Sequence, residues 1–82
     1  MPTILRLEGL RIMIYVNDHP PPHVHVIKAG AQARIALGSD AGRASLIAND
    51  GLSRRELAVA IEAVDQNRPL LLQRWREIHG GT

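Results

Sequence analysis

Apolar and polar residues alternate along the first half of the chain, which is the pattern of β-strands that bury one face. The alternation predicts five strands, over residues 3–7, 10–16, 23–27, 31–37 and 43–48. The second strand is the clearest, because every other residue in it is a large aliphatic expected to face the core: Leu10, Ile12, Ile14 and Val16. Short turns separate the strands, so strands that are neighbours in the chain are expected to pair antiparallel.

From residue 53 onward the apolar residues follow the 3.6-residue period of an α-helix. Ser53 followed by Glu56 is the signature of a capping box, so a helix is predicted to begin there. Pro69 removes a backbone donor, which predicts a kink or a break, with Asn67 capping a second helix. The helical part is expected over about 54–79.

These elements predict an α+β fold in two layers. A mostly antiparallel sheet of four to five strands, over about 3–48, is expected to carry a C-terminal helix, kinked or split, packed on one face. Trp75 is expected to pack into the core between the layers. At this length the chain is predicted to be a single domain over 1–82. The opposite face of the sheet is therefore where a functional site is expected.

The composition limits how so small a domain is stabilised and what it binds. The 82 residues include no cysteine, so neither disulfides nor thiolate-bound metals are available. The formal charge is +2, and nine of the ten basic residues are arginine, whose planar guanidinium suits phosphate or carboxylate. This favours an anionic partner, although a GC-rich genome explains the same excess of arginine. No segment resembles a signal peptide or a membrane span, which predicts a cytoplasmic protein.

Residues 17–26 concentrate three of the four histidines around three consecutive prolines. His23 and His25 are two positions apart on a predicted strand, so their side chains are expected to point to the same face. With His19 from the proline-rich loop, they form a candidate site for zinc or another divalent transition metal with one open position. Asp18 is a further candidate, either as a ligand or as a group that orients one.

The same histidines are also candidates for acid–base chemistry without a metal. Imidazole exchanges protons near neutral pH, and RNA cleavage needs a base, an acid and cations around the phosphate. Five residues on the predicted outward faces are candidates, the first three as catalytic groups and the last two as phosphate contacts: His23, His25, Tyr15, Arg11 and Arg34. The alternative is that the histidines are structural, donating hydrogen bonds to carbonyl groups or packing over the sheet.

A second cationic feature lies at the start of the predicted first helix. Arg54 and Arg55 directly follow Ser53, beside the N–H groups that a helix N-terminus leaves without an intrahelical acceptor. Such a pair suits an anion, either an RNA phosphate or an acidic segment of a partner protein. A solvated helix end explains the same residues.

Several strings resemble DUF4160, a family of small prokaryotic proteins of unknown function. They are residues 1–6 (MPTILR), 14–19 (IYVNDH) and 21–26 (PPHVHV), while Glu62, Asn67 and Trp75 take matching places in the helical part. The resemblance spans nearly the whole chain. Arg68–Pro69 departs from the more continuous helix that the resemblance implies, so a single kinked helix is the alternative to a split one.

Members of this family are often described as toxin components of toxin–antitoxin modules. The resemblance therefore implies a toxin-like protein that acts on RNA or translation and that binds a cognate small antitoxin-like protein. Combined with the histidines, it leads to the hypothesis of RNA binding with metal-independent cleavage and no cofactor. A histidine-based metal-binding protein and a non-catalytic protein-interaction module are the alternatives. A homodimer is compatible with so small a core.

Overall fold

Five antiparallel strands pair side by side in the order in which they occur along the chain. A computed structural model describes residues 3–38 and 42–80. The elements are β1 Thr3–Leu7, β2 Leu10–Met13, β3 His23–Lys28, β4 Ala31–Ala36, β5 Ser45–Asp50, α1 Arg54–Gln66 and α2 Arg68–His79. The predicted α+β fold is confirmed, and its helical part is split into two helices. Neither helix is long and apolar enough to cross a membrane.

Two-residue turns join β1 to β2 and β3 to β4, and each turn links residues that pair across the ladder. Both residues of each turn have positive φ, 49° and 81° at Glu8 and Gly9, and 48° and 87° at Ala29 and Gly30. This is a feature of type I′ turns, whose backbone twist matches that of the strands they join. The turns therefore help to set the register of both hairpins.

One hydrophobic core fills the space between the sheet and the two helices. Its fully buried members include residues from the inner faces of the strands and from both helices, among them Ile12, Val24, Val26, Ile35, Val64, Leu71 and Trp75. Trp75 is 0 % exposed, so the expectation that it packs into the core is confirmed. Arg68 Nε donates to the carbonyl oxygen of Leu37 at 2.7 Å, which joins the start of α2 to the residue after β4.

Two strands differ from their predicted bounds by more than one residue. β2 ends at Met13 rather than residue 16, because the chain turns away from the sheet, and Val16 is 63 % exposed instead of buried. β5 begins and ends two residues later than predicted, at Ser45 and Asp50, and its pairing with β4 shifts register. The shift leaves Ile47 without a place in the alternation, so Leu46 and Ile47 are both exposed on this edge strand.

The helix ends are confirmed in part. Ser53 Oγ accepts from the N–H of Glu56 at 3.1 Å, and Glu56 Oε1 accepts from the N–H of Ser53 at 2.8 Å, so the predicted capping box is formed. Pro69 lies in the first turn of α2 as expected. Asn67 is the N-cap residue of α2, as predicted, but its side chain makes no capping hydrogen bond. Its Nδ2 donates instead to the carbonyl oxygen of Ala63 at 2.7 Å, in the last turn of α1, where the backbone N–H of Asn67 donates as well.

The turn between β3 and β4 offers a test of the hairpin geometry. Ala29 has a φ of 48°, which is unfavourable for a residue with a Cβ, whereas asparagine tolerates this conformation. We expect Ala29→Asn to raise the free energy of unfolding by about 0.5–1 kcal/mol in urea denaturation. Gly30→Ala is the control, and should destabilise by about 1 kcal/mol or more through backbone strain alone. A Cβ added at Gly30 meets no atom within 4 Å.

Candidate functional site

The segment between β2 and β3 carries Asp18 to the end of the sheet where β3 begins. The N–H of Tyr15 donates to Asp18 Oδ2 at 3.1 Å, and the N–H of Asp18 donates to the carbonyl oxygen of Tyr15 at 3.1 Å. These reciprocal bonds close a short turn and fix the carboxylate. The peptide bond between Pro20 and Pro21 is cis. The carbonyl oxygen of Pro22 accepts from the N–H of Leu37 at 3.0 Å, which ties the segment to the residue after β4.

The imidazole of His25 is held by the carboxylate of Asp18. His25 Nε2 lies 3.1 Å from Oδ1 and 3.2 Å from Oδ2. An ionised carboxylate only accepts hydrogen bonds, so Nε2 carries the proton in this arrangement. In the neutral ring the lone pair is then on Nδ1, for which no hydrogen bond is found among the described residues. Asp18 therefore selects both the orientation and the tautomer of His25.

The imidazole of His23 faces the same carboxylate from another side. Its Nδ1 lies 3.0 Å from the carbonyl oxygen of Pro21, which can only accept, so Nδ1 carries a proton. The other nitrogen, Nε2, lies 3.5 Å from Asp18 Oδ1. The Nε2 atoms of both histidines thus converge on one carboxylate oxygen. One ligand atom from each of the three side chains lies within 4.8 Å of the others.

Aromatic contacts hold these rings in place. The ring of Tyr15 meets that of His25 edge-on with centroids 4.4 Å apart, and the rings of His23 and His25 are 5.3 Å apart at 63°. The ring centroid of His23 also lies 5.4 Å from that of the buried Trp75, and the ring of Trp75 contacts that of His79 at 3.9 Å. The side chains of Asp18, His23 and His25 are each 12 % exposed. The cluster is therefore packed against the core yet open to solvent on one side.

The open side faces a depression of about 500 Å³. Besides the three clustered side chains, its lining includes His19, Pro20, Arg34 and Ile47. Arg34 pairs with His25 across the ladder between β3 and β4, and paired residues lie on the same face of a sheet. The depression thus combines a cation, an oriented imidazole and an apolar wall.

The structure brings together some of the predicted site residues. His23, His25, Tyr15 and Arg34 meet at or beside the depression. His19 lines the depression but is exposed and lies outside the group of convergent ligand atoms, where Asp18 takes the third place. Sequence reasoning ranked His19 and Asp18 in the opposite order, because loop residues have no periodicity that shows where they point.

The other predicted arginines lie apart from this cluster. Arg11 pairs with Ile27, which is two residues along β3 from His25 and about 7 Å away. Arg54 and Arg55 begin α1 near Lys28, at the opposite end of β3 from His23, and five residues of strand span about 17 Å. Their roles in phosphate binding stay predictions.

A separate depression of about 270 Å³ lies at the start of α1. It is lined in part by Arg55 and Glu8, and Lys28 Nζ pairs there with Glu56 Oε2 at 3.1 Å. The backbone N–H of Ser53 and the ammonium of Lys28 hold the pKa of Glu56 below its ordinary value. These contacts hold the start of α1 against β3, so the role of Glu56 is structural.

The carboxyl group of Asp18 stays ionised to a lower pH than that of an ordinary aspartate. Partial burial raises its pKa, but the hydrogen bonds from His25 and from the N–H of Tyr15, with the nearby charges of His25 and His23, outweigh burial and lower the pKa below its ordinary value. Because the pKa is lower in the folded chain than in the unfolded chain, the ionised carboxylate stabilises the fold. This contribution is complete above the unfolded pKa and is lost as the pH falls through the folded one.

We therefore expect Asp18→Asn to destabilise the metal-free protein at pH 7 by about 1.5–3 kcal/mol, the range for hydrogen bonds to charged groups. The deficit relative to the natural protein should shrink as the pH falls below about 4. Urea denaturation in a chelator at several pH values measures both effects. Asp50→Asn, at an exposed carboxylate ending β5, is the control and should change stability by at most about 0.5 kcal/mol at pH 7. A constant deficit down to pH 2 would contradict the electrostatic account of Asp18.

Comparison with known proteins gives one match. A family model described as "Domain of unknown function (DUF4160)" matches residues 9–76. No curated protein and no solved structure matches the chain. The matched span includes all of the clustered residues, from Tyr15 and Asp18 to Arg34 and Trp75, and the resemblance noted in the sequence is confirmed. The chain belongs to the DUF4160 family.

Proposed function

We propose that this protein is a toxin-like component of a prokaryotic toxin–antitoxin module that binds RNA in the depression beside His25 and cleaves it in the cytoplasm. A small antitoxin-like protein is its partner in this proposal. One observation carries the RNA chemistry: an imidazole oriented by a carboxylate lies beside an arginine on the same open face. An oriented base and a phosphate-binding cation are two of the groups that RNA cleavage needs.

His25 is the general base in this proposal. Its Nε2 proton is engaged with Asp18, so the lone pair on Nδ1 is the one available to a substrate. Nδ1 takes the proton of a ribose 2′-hydroxyl, and the 2′-oxygen attacks the adjacent phosphorus. The bond from phosphorus to the 5′-oxygen breaks, and that oxygen takes a proton from water. The hydroxide formed from that water accepts the proton from the imidazolium of His25, which restores the base. The products are a 2′,3′-cyclic phosphate and a 5′-hydroxyl.

The neighbouring side chains have distinct parts in this step. Arg34 contacts the phosphate and stabilises the charge that develops on its oxygens, since guanidinium forms paired hydrogen bonds to phosphate. Asp18 stabilises the imidazolium that forms on His25, as in other carboxylate–histidine pairs. Both ring nitrogens of His23 face protein oxygens, so we assign His23 to positioning rather than to proton transfer. Tyr15 holds the ring of His25 from its edge.

Arg34→Gln tests the phosphate contact. We expect cleavage of a labelled single-stranded RNA, measured in EDTA, to fall about 10²-fold, the usual effect of removing one charge-stabilising donor. The salt dependence of RNA binding should also weaken by about one unit of slope. Arg6→Gln is the matched control, because Arg6 is an exposed arginine on β1 that does not line the depression. Equal activity of Arg34→Gln and Arg6→Gln would contradict this assignment.

His25→Asn tests the general base. We expect it to lower RNA cleavage by about 10²-fold or more, because proton transfer by a positioned base contributes roughly that much. Regulated expression in a bacterial host, with growth and total RNA read out together, shows whether the same change relieves growth inhibition. If His25→Asn and Arg34→Gln both inhibit growth and degrade RNA as the natural protein does, cleavage at this depression is wrong.

A further inference from the structure

The three side chains that meet at Asp18 are arranged as metal ligands. We propose that Asp18, His23 and His25 bind one divalent transition-metal ion, and that the bound ion prevents the metal-free cleavage described above. The binding site stands on geometry alone. Its effect on cleavage rests on the proposed function, since it concerns the same nitrogen atoms.

The distances between the ligand atoms agree with a bound ion. Zinc lies about 2.0–2.1 Å from imidazole nitrogen or carboxylate oxygen, so neighbouring ligands in a tetrahedral site are about 3.3 Å apart. Asp18 Oδ1 is 3.1 Å from His25 Nε2 and 3.5 Å from His23 Nε2. All three ligand atoms lie within 4.8 Å of one another.

The surroundings of His23 also favour a cation. Pro21 O accepts the Nδ1 proton of His23, the kind of contact that directs Nε2 of a metal-binding histidine towards its ion. When the ring is neutral, the lone pair on Nε2 faces the carboxylate of Asp18 at 3.5 Å, with no proton between them. A metal ion placed there converts this repulsion into two bonds.

The ligand set points to a class of ion and to an open site. Two imidazoles and one carboxylate suit zinc, cobalt, nickel or manganese better than calcium or magnesium, which prefer oxygen ligands. Three protein ligands leave at least one position for water or an anion. The depression lies beside this position, with Arg34 across the ladder from His25.

Metal binding and general-base chemistry exclude each other at His25. An ion bound to Nε2 displaces the proton that Asp18 accepts in the metal-free protein. In the neutral ring that proton must then be on Nδ1, where it removes the lone pair that the cleavage step uses. The ion therefore acts as a switch that turns off cleavage by the metal-free route.

Direct titration tests the binding site. The natural protein, prepared without an affinity tag and stripped with a chelator, is titrated with zinc by calorimetry and with cobalt by visible absorption. We expect about one ion per chain and a rise in Tm with metal concentration. Asp18→Asn, His23→Asn and His25→Asn should each weaken binding about 100-fold or more, since even outer-shell partners contribute 10–100-fold. Circular dichroism checks that each variant is folded. If His23→Asn does not fold, His23→Gln replaces it in the titration.

His19→Asn distinguishes this ligand set from one built on three histidines. Because His19 lies outside the convergent group, its replacement should change zinc affinity less than about threefold. A loss in His19→Asn equal to that in Asp18→Asn would overturn the assignment of Asp18. Absence of any binding signal at about tenfold excess of zinc or cobalt would overturn the site altogether.

The cleavage assay, with and without one equivalent of zinc, tests the switch. The switch is supported if the cleavage rate measured in the chelator falls at least about tenfold when zinc is bound. Faster cleavage in zinc would overturn the exclusion and assign the reaction to the metal. Zinc binding without cleavage in either form would support the site, overturn the switch and contradict the proposed function, so the failures of the two proposals are distinguishable.

Discussion

The candidate site depends on the hydrogen bonds that the carboxylate of Asp18 accepts. It accepts from the backbone of Tyr15 and from His25, and it faces His23, so one side chain links a loop to two positions of β3. A carboxylate that accepts from both a backbone N–H and an imidazole is held in one orientation, and a largely buried carboxylate without such donors would be costly. The same oxygens therefore stabilise the turn after β2 and define where the two imidazoles point.

The helical layer stabilises this arrangement from below. Trp75 is completely buried and contacts His23, so the position of that imidazole depends on how α2 packs against the sheet. Arg68 joins the start of α2 to the residue after β4, close to the end of the ladder that carries the site. A site supported by core packing and by backbone hydrogen bonds is pre-organised, which is what both catalysis and metal binding require.

Local patterns predicted the elements, and longer-range contacts decided the site. Alternation located all five strands, and Ser53 with Glu56 located the start of α1, because these signals depend on residues close in sequence. Alternation failed at Val16, where hydrogen bonds within a turn end the strand, and at Ile47, where a register shift breaks the period. Alternation placed His23 and His25 on the same face of the sheet. It could not show whether His19 or Asp18 completes the cluster, since only the folded loop shows which side chain turns inward.

The directions of the ring nitrogens narrow what the clustered histidines can do. Two imidazoles that transfer protons across a phosphate need free nitrogens facing the substrate, but both Nε2 atoms face Asp18 and Nδ1 of His23 faces a carbonyl oxygen. Of the four ring nitrogens of His23 and His25, only Nδ1 of His25 is left to accept a proton from a substrate. It keeps the lone pair for this only while Nε2 of the same ring carries its proton. Because one proton on the ring of His25 decides between them, the acid–base chemistry and the metal binding that we propose for this cluster are alternative states of one site.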